Sequence, residues 1–199
     1  MARSKNADKS SQRILTPEFR VSYPHLFKAN AFKGGEAKYS VTMLFPKTAD
    51  LSALKLAIKH AKIDKWGPDK DEWPEDLMSP VQDGDNPKYA ANEGYKGHWA
   101  IKASSKEAQK PGLVNEKVEP IIDASEFYPG CYARAQVFAN GWEYMGKSGV
   151  SFILDHVQKT RDGKSFGGRK SAAEVFDPVS GGKAPSMDEE LDEDEEDFA

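Results

Sequence analysis

The chain has 199 residues, 38% of them hydrophobic, and its 28 Lys and Arg against 32 Asp and Glu give a net charge of −4. That length holds one domain of ordinary size plus flexible ends, and the single cysteine, Cys131, excludes an internal disulfide. No apolar run approaches the ~18 residues of a membrane helix, and the first residues, MARSKNADKSSQR, lack the apolar stretch of a signal peptide, so a cytoplasmic protein is expected.

Residues 1–13 read as a flexible basic arm. In 18–32, EFRVSYPHLFKANAF, β-branched and aromatic residues predict a first strand, and Gly34-Gly35 a turn. The next segment, 37–46, alternates: Tyr39, Val41, Met43 and Phe45 face one way, Lys38, Ser40, Thr42 and Leu44 the other. The two strands should form a hairpin. The period then changes. Over 48–66, Leu51, Leu54, Ile58 and Ala61 recur at three- and four-residue steps with Lys55, Lys59 and Lys62 opposite, which predicts a helix started by Thr48 or Asp50 and ended by Gly67-Pro68.

Residues 67–95 are rich in Pro, Asp and Gly and read as a long loop, of the kind that is usually functional or elaborates a core fold. Strands are expected at 97–105, at 116–125 (short, broken by Pro120), at 129–142 (ending in an Asn140-Gly141 turn) and at 149–163. One helix among many short strands points to a mainly β fold, a closed or partly closed barrel spanning 14–170. Beyond it, 171–199 passes through linker composition into an acidic tail too poor in apolar surface to order itself.

Catalytic chemistry finds little support. His25, His60, His98 and His156 are scattered, with no second His or Cys at a metal-ligand spacing, so no metal or cofactor is expected. Gly163-Lys164-Ser165 resembles the end of a phosphate-binding loop, but position 158, where the pattern needs glycine, is Gln. Asp83, Asp85, Asp123, Glu126 and Asp155 match no nuclease spacing, and solvated loop acids are the simpler reading. The sequence reads as that of a binding protein, not an enzyme.

In CYARAQVFA, Cys131, Ala133, Ala135 and Val137 share one face and Tyr132, Arg134, Gln136 and Phe138 the other. From this strand alone either face can be the core. If the small residues are buried, the other face shows aromatics flanking an arginine. That combination suits single-stranded nucleic acid, whose bases stack at about 1–3 kcal/mol each while phosphates need positive charge nearby. Lys38 beside Tyr39, Lys102 after Trp99, Trp142, and the basic run QKTRDGKSFGGRK extend the pattern. The expected DNA-binding residues are Lys38, Tyr39, Lys102, Tyr132, Arg134, Phe138 and Trp142.

From Met187 onward nine of thirteen residues are acidic and none basic, which leaves 28 basic and 23 acidic residues, a net of +5, in the preceding body. The tail can act as a solubility device, as a phosphate mimic lying over the basic groove, or as a charged handle (Asp192, Glu193, Asp194, Glu195, Glu196, Asp197) ending in Phe198 for a partner's pocket. A tail that covers its own groove can equally cover a neighbour's, which would favour a homodimer.

These features resemble the single-stranded DNA-binding proteins of tailed bacteriophages, most closely in GHWAIKASS, YPGCYARAQVFA, GVSFILDHVQKTRDG and MDEELDEDEEDFA, over roughly 15–199. The resemblance implies an OB-fold, coating of single strands during replication and recombination in the bacterial host, and contacts to phage replication proteins through the tail. Two other classes stay open: an acidic-tailed adaptor or nucleic-acid chaperone with little intrinsic DNA affinity, and a metal-dependent nuclease.

Overall fold

The computed structural model describes residues 12–31 and 34–167. The expectations for the linker and tail, including Asp192–Phe198, and for the arm before Gln12 lie outside the described residues.

Nine strands and one α-helix are present among the described residues: β1 (Ile14–Leu15), β2 (Phe19–Asn30), β3 (Lys38–Pro46), α1 (Ser52–Trp66), β4 (Leu77–Met78), β5 (Val81–Asp83), β6 (His98–Lys106), β7 (Gly112–Val114), β8 (Tyr132–Tyr144) and β9 (Lys147–Arg161). Five of them close on themselves. β2 pairs antiparallel with β3, β3 with β6 and β8 with β9, while β8 returns to β2 through Phe19↔Ala133. The remaining seam, β6 with β9 through Ala103↔Phe152, is parallel. The result is mainly β: a closed five-stranded barrel of the OB kind, with one main helix.

The period-two pattern sets what lies inside. Val21, Val41, Met43, Phe45, Ile101, Phe152 and Leu154 are buried, and Phe19 meets Phe45 edge-on with ring centroids 5.5 Å apart. The small face of β8 is the inner one: Cys131, Ala133, Ala135 and Val137 are all buried. Leu54 and Ala61 bury the inner stripe of α1. Its start is marked by Asp50, whose carboxylate accepts the Ser52 N–H at 2.9 Å.

Three local expectations are corrected. The strand expected at 116–125 is instead β7, parallel to β9 along His156–Gln158, and Pro120 makes only an isolated bridge to Val114. Asn140-Gly141 is not a turn. β8 continues to Tyr144, because Gly141 is where α1 crosses the strand, and a Cβ there would stand 2.9 Å from the Ala61 carbonyl oxygen. The chain reverses at Met145-Gly146, both at positive φ (50° and 73°), as a two-residue hairpin of the type I′ kind requires. Third, the stretch 67–95 carries structure. β5 pairs with β6, β4 runs parallel to β9, and the segment ends over the outside of the barrel, where Tyr95 buries Leu44 and Ala100. That cover explains why Leu44 is buried although it points away from Met43 and Phe45.

Candidate nucleic-acid interface

Residues paired directly across antiparallel strands point to the same side of the sheet, so the register lays out the barrel's outer surface in rows. At one end Tyr132, Arg20, Leu44 and Ala100 lie in line from β8 through β2 and β3 to β6. Ser22, Thr42 and Lys102 form the next row. His25, Ser40 and Ser104 follow, and Ile153 and Phe138 continue that row around the barrel. The last row is Asn30, Lys38 and Lys106.

The last two rows border an open groove of about 600 Å³. Lys38, Lys106, Lys110 and Arg13 bring positive charge to it, Phe138 an aromatic face, and Ser104, Asn140 and His156 polar groups. The Arg13 guanidinium stands 5.6 Å from the Phe138 centroid and is held by Asp155, and Lys38 Nζ lies 3.4 Å from Glu36. These pairs are partly exposed, so they order the side chains at little energetic cost to displace.

At the opposite end, cations and rings interleave. The Arg161 guanidinium carbon sits 3.4 Å from the Tyr132 centroid, and Arg20 lies 5.4 Å from Tyr132 and 4.3 Å from Phe166. Glu18 accepts from Arg161 at 2.7 Å and from the Thr160 hydroxyl at 2.7 Å. The Arg161 contact holds its carboxyl below the usual carboxylate range, despite partial desolvation. Beside this end, Tyr89 and Tyr95 pack at 5.3 Å, and burial raises the Tyr95 phenol above its ordinary value. Tyr23 is half exposed, holds a positive φ of 46° and donates its hydroxyl to Asn92 at 3.3 Å.

The structure distributes the residues expected from sequence over this surface. Lys38 and Phe138 meet in the groove, Lys102 lies between the groove and the Tyr132 end, and Tyr132 stands in the arginine cluster. Tyr39 is half buried and, by alternation, on the Val41 side of β3, away from Lys38. Arg134 points outward but donates to Gln158 at 2.7 Å, and Gln158 in turn donates to the Asn115 carbonyl at 2.9 Å, so it faces the loop after β7. Trp142 is half buried on the outer face of the β8–β9 hairpin. The residues expected from sequence did not include Arg13, Arg20, Tyr23, Lys106 or Arg161, although Arg161 lies in the basic run QKTRDGKSFGGRK. Arg20 and Ser22 do share the polar phase of β2, a signal legible in the sequence, but only register shows that Arg20 adjoins Tyr132.

Four of the five acids that match no nuclease spacing, Asp83, Asp85, Asp123 and Asp155, have other structural partners. Asp83 and Asp85 both clamp Lys47, which holds their carboxyls low and the ammonium high. Asp123 accepts the Ser125 N–H at 2.8 Å, and Asp155 pairs with Arg13. No group of three or more His, Cys, Asp or Glu is arranged to hold a metal ion among the described residues.

A family model described as the ssDNA-binding protein of Enterobacter phage Enc34 matches residues 12–195. Among solved structures, the single-stranded DNA-binding protein from bacteriophage Enc34 in complex with ssDNA is 29% identical, with a TM-score of 0.68 over 79% of this chain and 90% of that one. A second structure of the single-stranded DNA-binding protein from bacteriophage Enc34 is 27% identical, at a TM-score of 0.61 over 84% and 91%. The gp2.5 single-stranded DNA-binding protein of bacteriophage T7, 14% identical with a TM-score of 0.59 over 86% and 98%, shares the fold. No curated protein sequence matches this one.

Proposed function

This chain belongs to the phage single-stranded DNA-binding family represented by the Enc34 protein, and from that premise we propose that it binds and protects single-stranded DNA, without sequence preference, during phage DNA replication, recombination and repair in the cytoplasm of the bacterial host. The observation that supports this reading best is a band on the barrel's outer side from Lys102 to the groove with Lys38, Lys106 and Phe138, with the Arg20–Tyr132 cluster set apart from it by Tyr95 over Leu44 and Ala100. Unpaired bases present flat faces to its rings while the phosphates track its cations, a mode indifferent to sequence because every base has a π-face. Double-stranded DNA offers no exposed base faces to those rings. Lys38 and Lys102 are assigned to the backbone and Tyr132, Phe138 and Trp142 to bases; Tyr39, on the Val41 side of β3, and Arg134, held by Gln158, lie off the band, and no catalytic step is assigned to any residue.

The acidic tail, Asp192–Asp197 with Phe198, competes with DNA phosphates for this band and, when displaced, is free to engage phage replication proteins or a second copy of the chain. Fluorescence anisotropy with labelled single-stranded and duplex oligonucleotides tests both parts, using the full chain and one ended before Met187. Preference for single strands, with tighter binding after truncation, is the expected result. Absence of binding by either chain would instead make the barrel a protein-interaction adaptor.

A further inference from the structure

The first turn beyond α1 folds back on the helix. Gly67, at φ 90°, redirects the chain, its carbonyl accepts the Trp73 indole N–H at 2.9 Å, and Asp69 takes the Asp71 N–H at 3.0 Å. Trp73 is thereby held half buried against the outer side of α1, with Lys62 Nζ 5.3 Å from its ring centroid. It stands apart from the barrel core, which Leu54 and Ala61 join from the helix's inner side. Lys55, Ile58, Lys59 and Lys62 from the helix, with Lys70 and Trp73 from the turn, line an open hollow of about 310 Å³.

The hollow has two apolar groups, Ile58 and Trp73, ringed by the ammonium groups of Lys55, Lys59, Lys62 and Lys70. Lys55 and Lys59 stand at i and i+4 on the helix and Lys59 and Lys62 at i and i+3, spacings at which like charges face each other and destabilise a helix. Among the described residues none of these lysines is in an ion pair, whereas Lys47, Lys65, Lys159, Arg13 and Arg161 each have a carboxylate partner. A merely solvated helix face needs neither that repulsion nor a tryptophan laid beside it. The Trp73 N–H is committed to Gly67, so its ring offers apolar area and not a hydrogen bond.

The hollow shares no residue with the DNA groove or with the Arg20–Tyr132 cluster. Its loop wall also carries Asp69, Asp71 and Glu72, all exposed. A nucleic-acid strand continuing past the lysines would bring further phosphates against these carboxylates. A short peptide, whose acids end where the lysines end, would not.

We propose that this hollow on α1 is a docking site for an acidic peptide segment of another protein. An aromatic or aliphatic side chain of the peptide seats on Ile58 and Trp73, and its carboxylates meet Lys55, Lys59, Lys62 and Lys70. An apolar anchor in a pocket supplies the affinity, while the ring of charge steers the encounter and selects an acidic partner. Because the site lies off the DNA band, the protein holds this partner and single-stranded DNA together.

Fluorescence anisotropy tests this with a labelled synthetic peptide of Asp and Glu around one central Phe, titrated with the full chain. Binding is expected, and it should persist when the protein is saturated with oligothymidylate. Ser in place of the peptide's Phe, or the double variant Lys55→Gln, Lys59→Gln in the protein, should each weaken it about tenfold. The same variant should keep its oligothymidylate affinity and a thermal midpoint no lower than the parent's, because it relieves the like-charge pair. No binding of the peptide would overturn the proposal. So would its displacement by oligothymidylate, which places it in the DNA groove, or a variant that loses DNA affinity instead, which makes the hollow a nucleic-acid surface. Binding that appears only when the acids of Asp192–Asp197 are replaced by their amides in the full chain would give the hollow to the protein's own tail and overturn the assignment to a partner.

Discussion

Arg161 lies over the ring of Tyr132, its guanidinium carbon 3.4 Å from the centroid, while the same guanidinium is bonded to Glu18. Tyr132 is thereby already stacked on one cation, with a second, Arg20, 5.4 Å from its centroid. Replacing Tyr132 by Leu should weaken single-stranded DNA binding by about 1–3 kcal/mol. Glu18→Gln should act in the opposite direction, because it releases a guanidinium now neutralised by a carboxylate. Equilibrium titration of both variants at one salt concentration checks the opposed signs.

Lys38 and Lys106 are cross-strand neighbours at the groove, and phosphate contacts are read through salt. Each phosphate neutralised contributes about 0.7 to the slope of log K against log salt for single strands. The double variant Lys38→Gln, Lys106→Gln should therefore lower the slope by about 1.4 and weaken all sequences alike. Titrations from low to moderate salt with two oligonucleotides of different base composition measure both quantities.

The thiol of Cys131 is buried in the barrel wall, and burial pushes its pKa up to about 11. In the unfolded chain it ionises near its ordinary value, about 8.5. The folded value being the higher, its contribution is complete below about pH 8.5 and is lost as pH rises toward 11. Stability should fall over that window, and Cys131→Ala should flatten the decline while costing something for the lost packing. Iodoacetamide at pH 8 should label the native protein only at the rate of its opening, which mass spectrometry across a urea series can follow.

At the acid limit the sign reverses. Glu18 is held low chiefly by Arg161, and Asp162 chiefly by Lys159 and then by the Tyr128 hydroxyl. Depressed folded pKa values contribute stability above the unfolded carboxyl values, about 3.9 for Asp and 4.3 for Glu, and that stability disappears as pH falls through the folded ones. Thermal midpoints should drop below about pH 4, and less steeply in Glu18→Gln. The effect is modest, because these groups are largely solvated.

The sequence by itself determined the barrel's wall and its one long helix. Val41, Met43 and Phe45 at period two, and Leu54 and Ala61 at helical spacing, leave no other way to bury them. It also carried the polarity of the chain, a basic body joined to an acidic tail, since charge is a property of composition. Tertiary structure alone decided what Asn140-Gly141 means, because a glycine required by a helix crossing a strand looks locally like a turn. It decided which face of CYARAQVFA is the core, since alternation gives two faces but not the neighbour that covers one of them. It also decided which residues share a surface. Arg20 adjoins Tyr132, and Lys38 adjoins Lys106, only through cross-strand register, and register is fixed by pairing between segments far apart in the chain.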